Sequence, residues 1–443
     1  MALSAIGIAS AQGASCPARL FVSGYFSTVH VFDACTGAYM RDLDSSVRIR
    51  GPQAVKLGPD GMIYVTSEMS QQILRYRNDT LEFVDVFVTI PGIDPTGFAF
   101  APNGDVYVAG YKTNQVRRLS SAGTPIDIPI TGGAGVLNGP DNGITFGPDG
   151  NLYIPGYDSN NVVRYDPRTA TVTVVVARNA QGLGHTRGLL ADRSGQAMFV
   201  TGEGSNQLLR FDLATGALSV LNKSLNQPTG IAYGQDGSLL VLERDTVRKL
   251  DPATGSVTGV LVPPGTGGVD FGTYLAVIAL PVPPAAAVVE YYNAALDHYF
   301  VSALAADIAA LDAGSLSGWA RTGLTFNAYL SPAPGASPVC RFYLPPASGD
   351  SHFYSASEAE CAEVRTRFPS FVYEAADVMH MALPDATTGH CPDGLVPVYR
   401  LWNNRADSNH RYTTDPAVQA AMLAKGYIAE GYGPDATIMC AAV

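Results

Sequence analysis

The chain has little charge, and none of it is gathered into a basic run. Only 15% of its residues are Asp, Glu, Lys or Arg, and the formal net charge is −11. The counterion-releasing contacts that drive phosphate-backbone binding therefore have no source, and nucleic acid is excluded as an expected partner. No C-x-x-C pair occurs among the six cysteines, which removes zinc ribbons and thioredoxin-like redox motifs. No apolar stretch reads as a transmembrane segment: 271–289 comes nearest, and Pro281, Pro283 and Pro284 interrupt it. The start lacks a basic n-region. Its small apolar residues and an A-x-A site at Ala9-Ser10-Ala11 nevertheless read as a signal-peptide remnant or a disordered N-terminus over 1–15.

What is present is globular and rich in turns. Of 443 residues 47% are hydrophobic, with 46 Gly and 30 Pro, and a chain of this length is expected to divide into two or more domains. The cysteines fall as two near the start and four in the last quarter. An even set of this kind fits an extracellular or periplasmic protein with sequence-neighbour disulfides Cys16–Cys35, Cys340–Cys361 and Cys391–Cys440, although spacing alone does not fix the connectivity. A monomer is expected.

The stretch from Gly139 to Asp166 holds two short apolar strands joined by a Pro-Asp-Gly turn, then a polar loop and a third strand ending in Arg164-Tyr165-Asp166. Imperfect copies start at Gly51, Asp94, His185 and Gln227. Their turn glycines Gly61, Gly104, Gly150, Gly195 and Gly237 lie 43, 46, 45 and 42 residues apart. That period, with four alternating strands per copy, predicts propeller blades. Arg19–Asp33 supplies the second and third strands of a further blade, and 267–279 supplies its missing inner strand. Sharing this blade between the two ends would close the ring and remove exposed sheet edges. The expected fold is mainly β: a six-bladed β-propeller over 16–280, a linker over 281–287, and a smaller α+β domain over 288–443.

The repeated core G-[IF]-x-[FY]-x-x-[DN]-G-x-[LIV]-[YF]-[VI], followed by S-N-x-[VL]-x-R-[YFL]-D, resembles the six-bladed NHL-repeat and streptogramin-lyase-like propellers. At pattern level it also overlaps with gluconolactonase-like ones. The resemblance implies the fold far more than a function, because the group includes enzymes, scaffolds and binding modules.

Beyond the linker the composition changes, and five of the seven histidines follow Asp297. Three copies of about 50 residues place an aromatic strand before a His-aromatic segment, an Ala/Glu-rich helical stretch and a closing segment. The motifs are His298-Tyr299-Phe300-Val301, His352-Phe353-Tyr354-Ser355 and His410-Arg411-Tyr412-Thr413. They resemble a three-repeat module of unknown function found at the ends of secreted proteins, which implies a secreted setting and, by analogy, a wall- or carbohydrate-binding role. Tyr292, Tyr343 and Trp402 occupy equivalent repeat positions and would stack on sugars if exposed, or pack in the core if not. His298, His352 and His410 are also equivalent. They would make a trigonal metal site if they met, or tie the backbone of their own repeats if they did not.

In a propeller the inner strands and the loops after the second strands open on one face. Gln53, Thr96, Asp141, Asn142, Thr186, Arg187 and Thr229 are therefore expected to ring the mouth of the channel with Tyr25, Glu68, Tyr111, Tyr157, Glu203 and Glu243. Asp141, Asn142 and Glu203 are the donor types that suit Ca²⁺ or Mg²⁺, and His185 beside Arg187 would serve as an acid, base or electrophile. The plainer reading is that these groups cap blade tops and hold channel water. The streptogramin-lyase resemblance would require an H-G-P-E-like blade start and an E-x-H pair. This chain has His185-Thr186-Arg187-Gly188 and no E-x-H, so no catalytic residue carries over. The resulting expectation is a secreted non-catalytic binding protein with a carbohydrate, cell-surface or protein ligand. The alternatives are a metal-dependent lyase or lactonase with a targeting module, and a plain interaction scaffold.

Overall fold

The computed structural model describes residues 16–132 and 136–443. The chain divides into a compact unit over Ala18–Leu280 and another that includes Pro281–Val443. The signal-peptide reading over 1–15 lies outside the described residues.

In the first unit the described residues form six four-stranded antiparallel sheets, each with its strands in meander order. The sheet containing Ala18–Gly24, Val29–Asp33 and Tyr39–Asp42 takes its inner strand from Gly272–Ala279, with Ala18 opposite Ala279 and Val22 opposite Leu275. The two ends of the unit thus share one blade, and the propeller closes without a free inner edge. The second strands are almost wholly buried, as in Met62–Ser67, Leu152–Gly156 and Ala197–Gly202, whereas outer strands such as Tyr39–Asp42 and Pro125–Ile130 are largely exposed. This gradient explains why the continuous apolar runs stand out in sequence and the fourth strands do not.

The turn between the first and second strands is the same in five blades. Gly61, Gly104, Gly150, Gly195 and Gly237 have φ from 70° to 89°, and each amide donates to the carbonyl three residues before it. That left-handed position favours glycine. A second set of glycines has a different cause. A Cβ on Gly143 would lie 2.0 Å from the Arg187 carbonyl oxygen, and one on Gly97 would lie 2.6 Å from the Asn142 Cα. Neighbouring inner strands approach so closely there that no side chain fits between them. Threonine hydroxyls then fasten blade to blade: Thr66 Oγ1 donates to the Thr96 carbonyl, Thr96 Oγ1 to Pro140, Thr201 Oγ1 to Thr229 and Thr273 Oγ1 to Pro52.

In the second unit each repeat runs strand, hairpin, strand, helix, strand. The helices are Ala305–Asp312, Glu358–Arg367 and Pro416–Ala424. The stretch expected as a linker is shorter than the sequence suggested, because Ala285 already opens the first strand, opposite Tyr329. Phe300, Tyr354 and Tyr412 occupy equivalent positions and meet in one core, with ring centroids 6.4 Å and 5.4 Å apart. The acid near the start of one helix grips the first-strand arginine of the next repeat: Asp307 holds Arg341 at 2.6 Å and Glu360 holds Arg400 at 2.7 Å. Disulfides join Cys340 to Cys361 and Cys391 to Cys440; Cys16 and Cys35 are also disulfide-bonded, and no described cysteine is free. Among the described residues no helix is long and apolar enough to cross a membrane.

Candidate functional site

Each blade begins with a residue in the left-handed region: Gly51, Asp94, Gly139, His185, Gln227 and Phe271 have φ between 48° and 62°. In five blades its carbonyl accepts from the amide of the residue that follows the second strand, namely Tyr25, Glu68, Tyr111, Tyr157 or Glu203. Four of these side chains, Tyr25, Glu68, Tyr111 and Tyr157, line the mouth, whereas Glu203 lies against Arg187 and is not part of the pocket wall. In the sixth, the Glu243 amide bonds to Thr246 instead. Its carboxylate turns to the Asn226 amide and to Arg248 Nε, so Glu243 lies outside the mouth.

The mouth is a pocket of about 210 Å³ lined by Gln53, Glu68, Tyr111, Asp141, Tyr157 and Arg187 from the sequence-derived set, with Tyr25 and Thr96 also in its wall. Phe271 and Thr273 complete it and were not among the expected residues. The signal for them exists: Phe271-Gly272-Thr273 follows the same entry pattern as Asp94-Pro95-Thr96 and His185-Thr186-Arg187. Asn142 sits beneath the floor, fully buried, and its amide donates to Gln53 Oε1 and the Thr273 carbonyl. His185 is exposed and stacks on Tyr157 from outside, with centroids 4.4 Å apart.

Asp141 is a surplus residue. The fourth blade has one residue more between Gly139 and Gly143 than the third has between Asp94 and Gly97, and the extra position carries a carboxylate into the mouth. Arg187 answers it. Its Nε lies 3.0 Å from Asp141 Oδ2, off the N–H axis, and its Nη1 donates to Glu203 Oε2 at 2.7 Å. The donors expected to attract Ca²⁺ or Mg²⁺ are thus bridged by a guanidinium that already supplies positive charge between them. Burial opposes charge on Arg187, but Asp141 and Glu203 outweigh it and hold the guanidinium above its usual range; burial likewise keeps the Asp141 carboxyl raised.

Burial also raises the Glu68 carboxyl, reinforced by Asp141 and Asp94 and opposed by the hydrogen bond from Gln53 and by Arg187. Tyr111 and Tyr157 are pushed up to about 12, mainly by burial and then by Asp158 and Glu203 respectively. Both therefore stay protonated at neutral pH, and the Tyr111 hydroxyl donates to Asp158 Oδ1 at 3.3 Å. The mouth threonines spend their hydroxyls on backbone carbonyls of the next blade. The arrangement hydrogen-bonds, stacks and pairs charge, with the Tyr111 hydroxyl held by Asp158 and the Tyr25 hydroxyl by Glu68.

Lys56 lies on the same inner strand as Gln53. Its Nζ donates to the Ile144 carbonyl at 2.6 Å and lies 5.7 Å from the Phe98 and Tyr274 ring centroids. Burial lowers its pKa to about 7. The folded state therefore binds fewer protons than the unfolded one between pH 7 and the ordinary lysine range, and stability rises with pH there. Chemical denaturation from pH 7 to 9 should show a slope of up to about 1.4 kcal/mol per pH unit from this group. The slope should vanish in Lys56→Met.

The C-terminal candidates do not converge. His298 Nε2 faces the Asp407 carbonyl at 3.2 Å, His352 Nε2 lies 3.4 Å from Glu374 and His410 Nε2 lies 3.4 Å from Glu430. Among the described residues the only three His, Cys or carboxylate ligand atoms within 4.8 Å of one another belong to Cys16, Asp33 and Cys35, whose sulfurs are committed to disulfides. The three histidines thus make separate contacts, and His298 reaches a carbonyl in the third repeat rather than its own. Tyr292, Tyr343 and Trp402 each tie their own hairpin, to Asp297, Asp350 and Ser408 respectively. Trp402 is 3% exposed and offers no face to a sugar.

Residues 275–383 match a family described as a domain of unknown function (DUF5648). No curated protein matches the chain. Among solved structures, a nidogen/laminin complex is 15% identical over 59% of this chain and 98% of its own, with a TM-score of 0.50. A virginiamycin B lyase from Staphylococcus aureus is 16% identical over 47% of this chain and 68% of its own, with a TM-score of 0.38. A Bacteroides caccae protein of unknown function is 12% identical over 59% and 99%, with a TM-score of 0.47. At such identities the likeness to the nidogen/laminin complex speaks for the propeller fold alone.

Proposed function

We propose that the protein is a secreted, non-catalytic binding protein whose propeller mouth takes a small ligand or the tip of a larger one, with the C-terminal repeats serving as a surface-attachment module. The observation that carries this reading is the mouth itself: four blades deliver side chains, Tyr25, Glu68, Tyr111 and Tyr157, to one pocket by the same backbone bond, and the pocket combines aromatic walls with hydrogen-bonding and charged groups. The disulfide-bonded cysteines support an extracellular or periplasmic setting.

A ligand-observed NMR screen of polar fragments against the full chain tests the reading. Hits should weaken at least about tenfold in Tyr111→Ala, which removes a wall. They should be unaffected by Tyr343→Ala in the C-terminal unit. Hits that ignore Tyr111→Ala would place binding elsewhere and overturn the assignment.

A further inference from the structure

The mouth has a charge imbalance that its own residues do not resolve. Three carboxylates, Asp141, Glu203 and Glu68, face one buried cation, Arg187, and that cation is spent on the first two. Glu68 receives hydrogen bonds from the neutral amide of Gln53 at 2.7 Å and from the Tyr25 hydroxyl, and among the described residues it forms no salt bridge. At the rim Asp94 and Asp158 add negative charge, and the exposed Lys112 and Arg244 add positive charge, Arg244 over the ring of Phe271.

Glu68 is flanked by rings from the blades on either side of its own. Tyr25 adjoins Phe26, which in turn meets Phe271, with centroids 5.1 Å and 5.6 Å apart. On the other side Tyr111 meets Tyr157 edge-on at 6.3 Å. Two arcs of aromatic surface thus bracket an uncompensated carboxylate at the wall of the pocket. Ring faces here already draw positive charge: the Arg187 guanidinium lies 5.4 Å from the Tyr157 centroid, and that of Arg244 lies 5.5 Å from Phe271.

Resting on the reading of the mouth as a binding site, we infer that its ligand carries a compact organic cation, an alkylammonium or quaternary ammonium group, seated between Tyr25, Tyr111 and Phe271 and paired with Glu68. Such a group gains from the ring faces and from the carboxylate at once. An anionic ligand would meet Glu68 and Asp141, with Arg187 already engaged. A neutral one would leave the half-buried Glu68 charge without a counter-charge. The raised carboxyl of Glu68 fits this assignment, because a bound cation would relieve what burial costs it.

Isothermal titration of the full chain with benzyltrimethylammonium, benzyl alcohol and benzoate tests the inference. The cation should bind at least about tenfold more tightly than benzyl alcohol, and benzoate should give no heat. Glu68→Gln keeps the acceptor for Gln53 and should weaken the cation about tenfold while leaving benzyl alcohol within about twofold. If that variant fails to fold, Tyr25→Leu with Tyr111→Leu removes the ring faces, together with the hydroxyl bonds to Glu68 and Asp158, and should weaken the cation more than benzyl alcohol. Equal affinities, a preference for benzoate, or indifference of the cation to these substitutions would overturn the cation. If benzyl alcohol or benzoate still loses binding in Tyr111→Ala, the mouth stands as a site with another ligand class. If no probe responds to Tyr111→Ala, both the cation and the mouth fall.

Discussion

Arg187→Met is expected to destabilise the propeller by about 3–5 kcal/mol, measured by calorimetry or far-UV circular dichroism. The side chain it replaces is 8% exposed and sits between Asp141 and Glu203, themselves 3% and 9% exposed. Methionine fills similar space but leaves two buried carboxylates with no counter-charge, so the cost comes from what is abandoned rather than from the bond removed. The pH dependence follows. Losing the guanidinium raises the folded-state pKa of Asp141 further, so the variant takes up a proton at higher pH than the wild type. Its deficit should be largest near pH 7 and shrink as pH falls through the carboxylate range. Adding Asp141→Asn and Glu203→Gln should recover much of the loss. A single variant as stable as the wild type would show that the mouth tolerates unpaired charge and that its electrostatics are unimportant to the fold.

Arg400→Met should cost the C-terminal unit a similar amount, about 3–5 kcal/mol. Arg400 holds Glu360 through two bonds of 3.0 Å and 2.7 Å, reaches Glu430 at 3.0 Å and lies 4.6 Å from the Phe353 centroid. Burial pushes Glu360 and Glu430 up, but Arg400 outweighs it and holds both below the usual carboxylate range. Their contribution is therefore present above the ordinary glutamate pKa and lost as pH falls through the depressed folded values. Acid should destabilise the wild-type unit in this window, and Arg400→Met should flatten that response. Both tryptophans of the chain, Trp319 and Trp402, lie in this unit, so their fluorescence reports its unfolding directly. Arg400→Lys should be intermediate, because a lysine cannot reproduce the two-pronged grip on Glu360.

The blades were legible because their causes are local. A left-handed turn favours glycine, close inner strands require it, and buried second strands require apolar runs, so Gly61 to Gly237 and the strands beside them repeat visibly. The blade-entry conformation repeats as regularly in space but not in letters: Gly51, Asp94, Gly139, His185, Gln227 and Phe271 share a backbone state and no chemistry. Phe271 and Thr273 do not stand out for that reason, since the closing strand is conspicuous in sequence by its hydrophobicity rather than by its entry residues. The mouth was located by topology, and its side chains largely follow. Which carboxylates are neutralised did not follow, because that depends on Arg187 reaching across from another blade. Glu243 departs because its blade lacks the entry bond that the other five share. In the C-terminal unit the equivalence of the histidines was visible in sequence, whereas their separation by different partners was not.

The most direct test of the mouth as the binding site is a crystal structure of the full chain soaked with the strongest ligand from the fragment screen. Ligand density is predicted in the pocket between Tyr25, Tyr111 and Arg187, within hydrogen-bond distance of Glu68 or Gln53. Density on the C-terminal repeats or on the outer strands of the blades, with the mouth unchanged, would contradict the account.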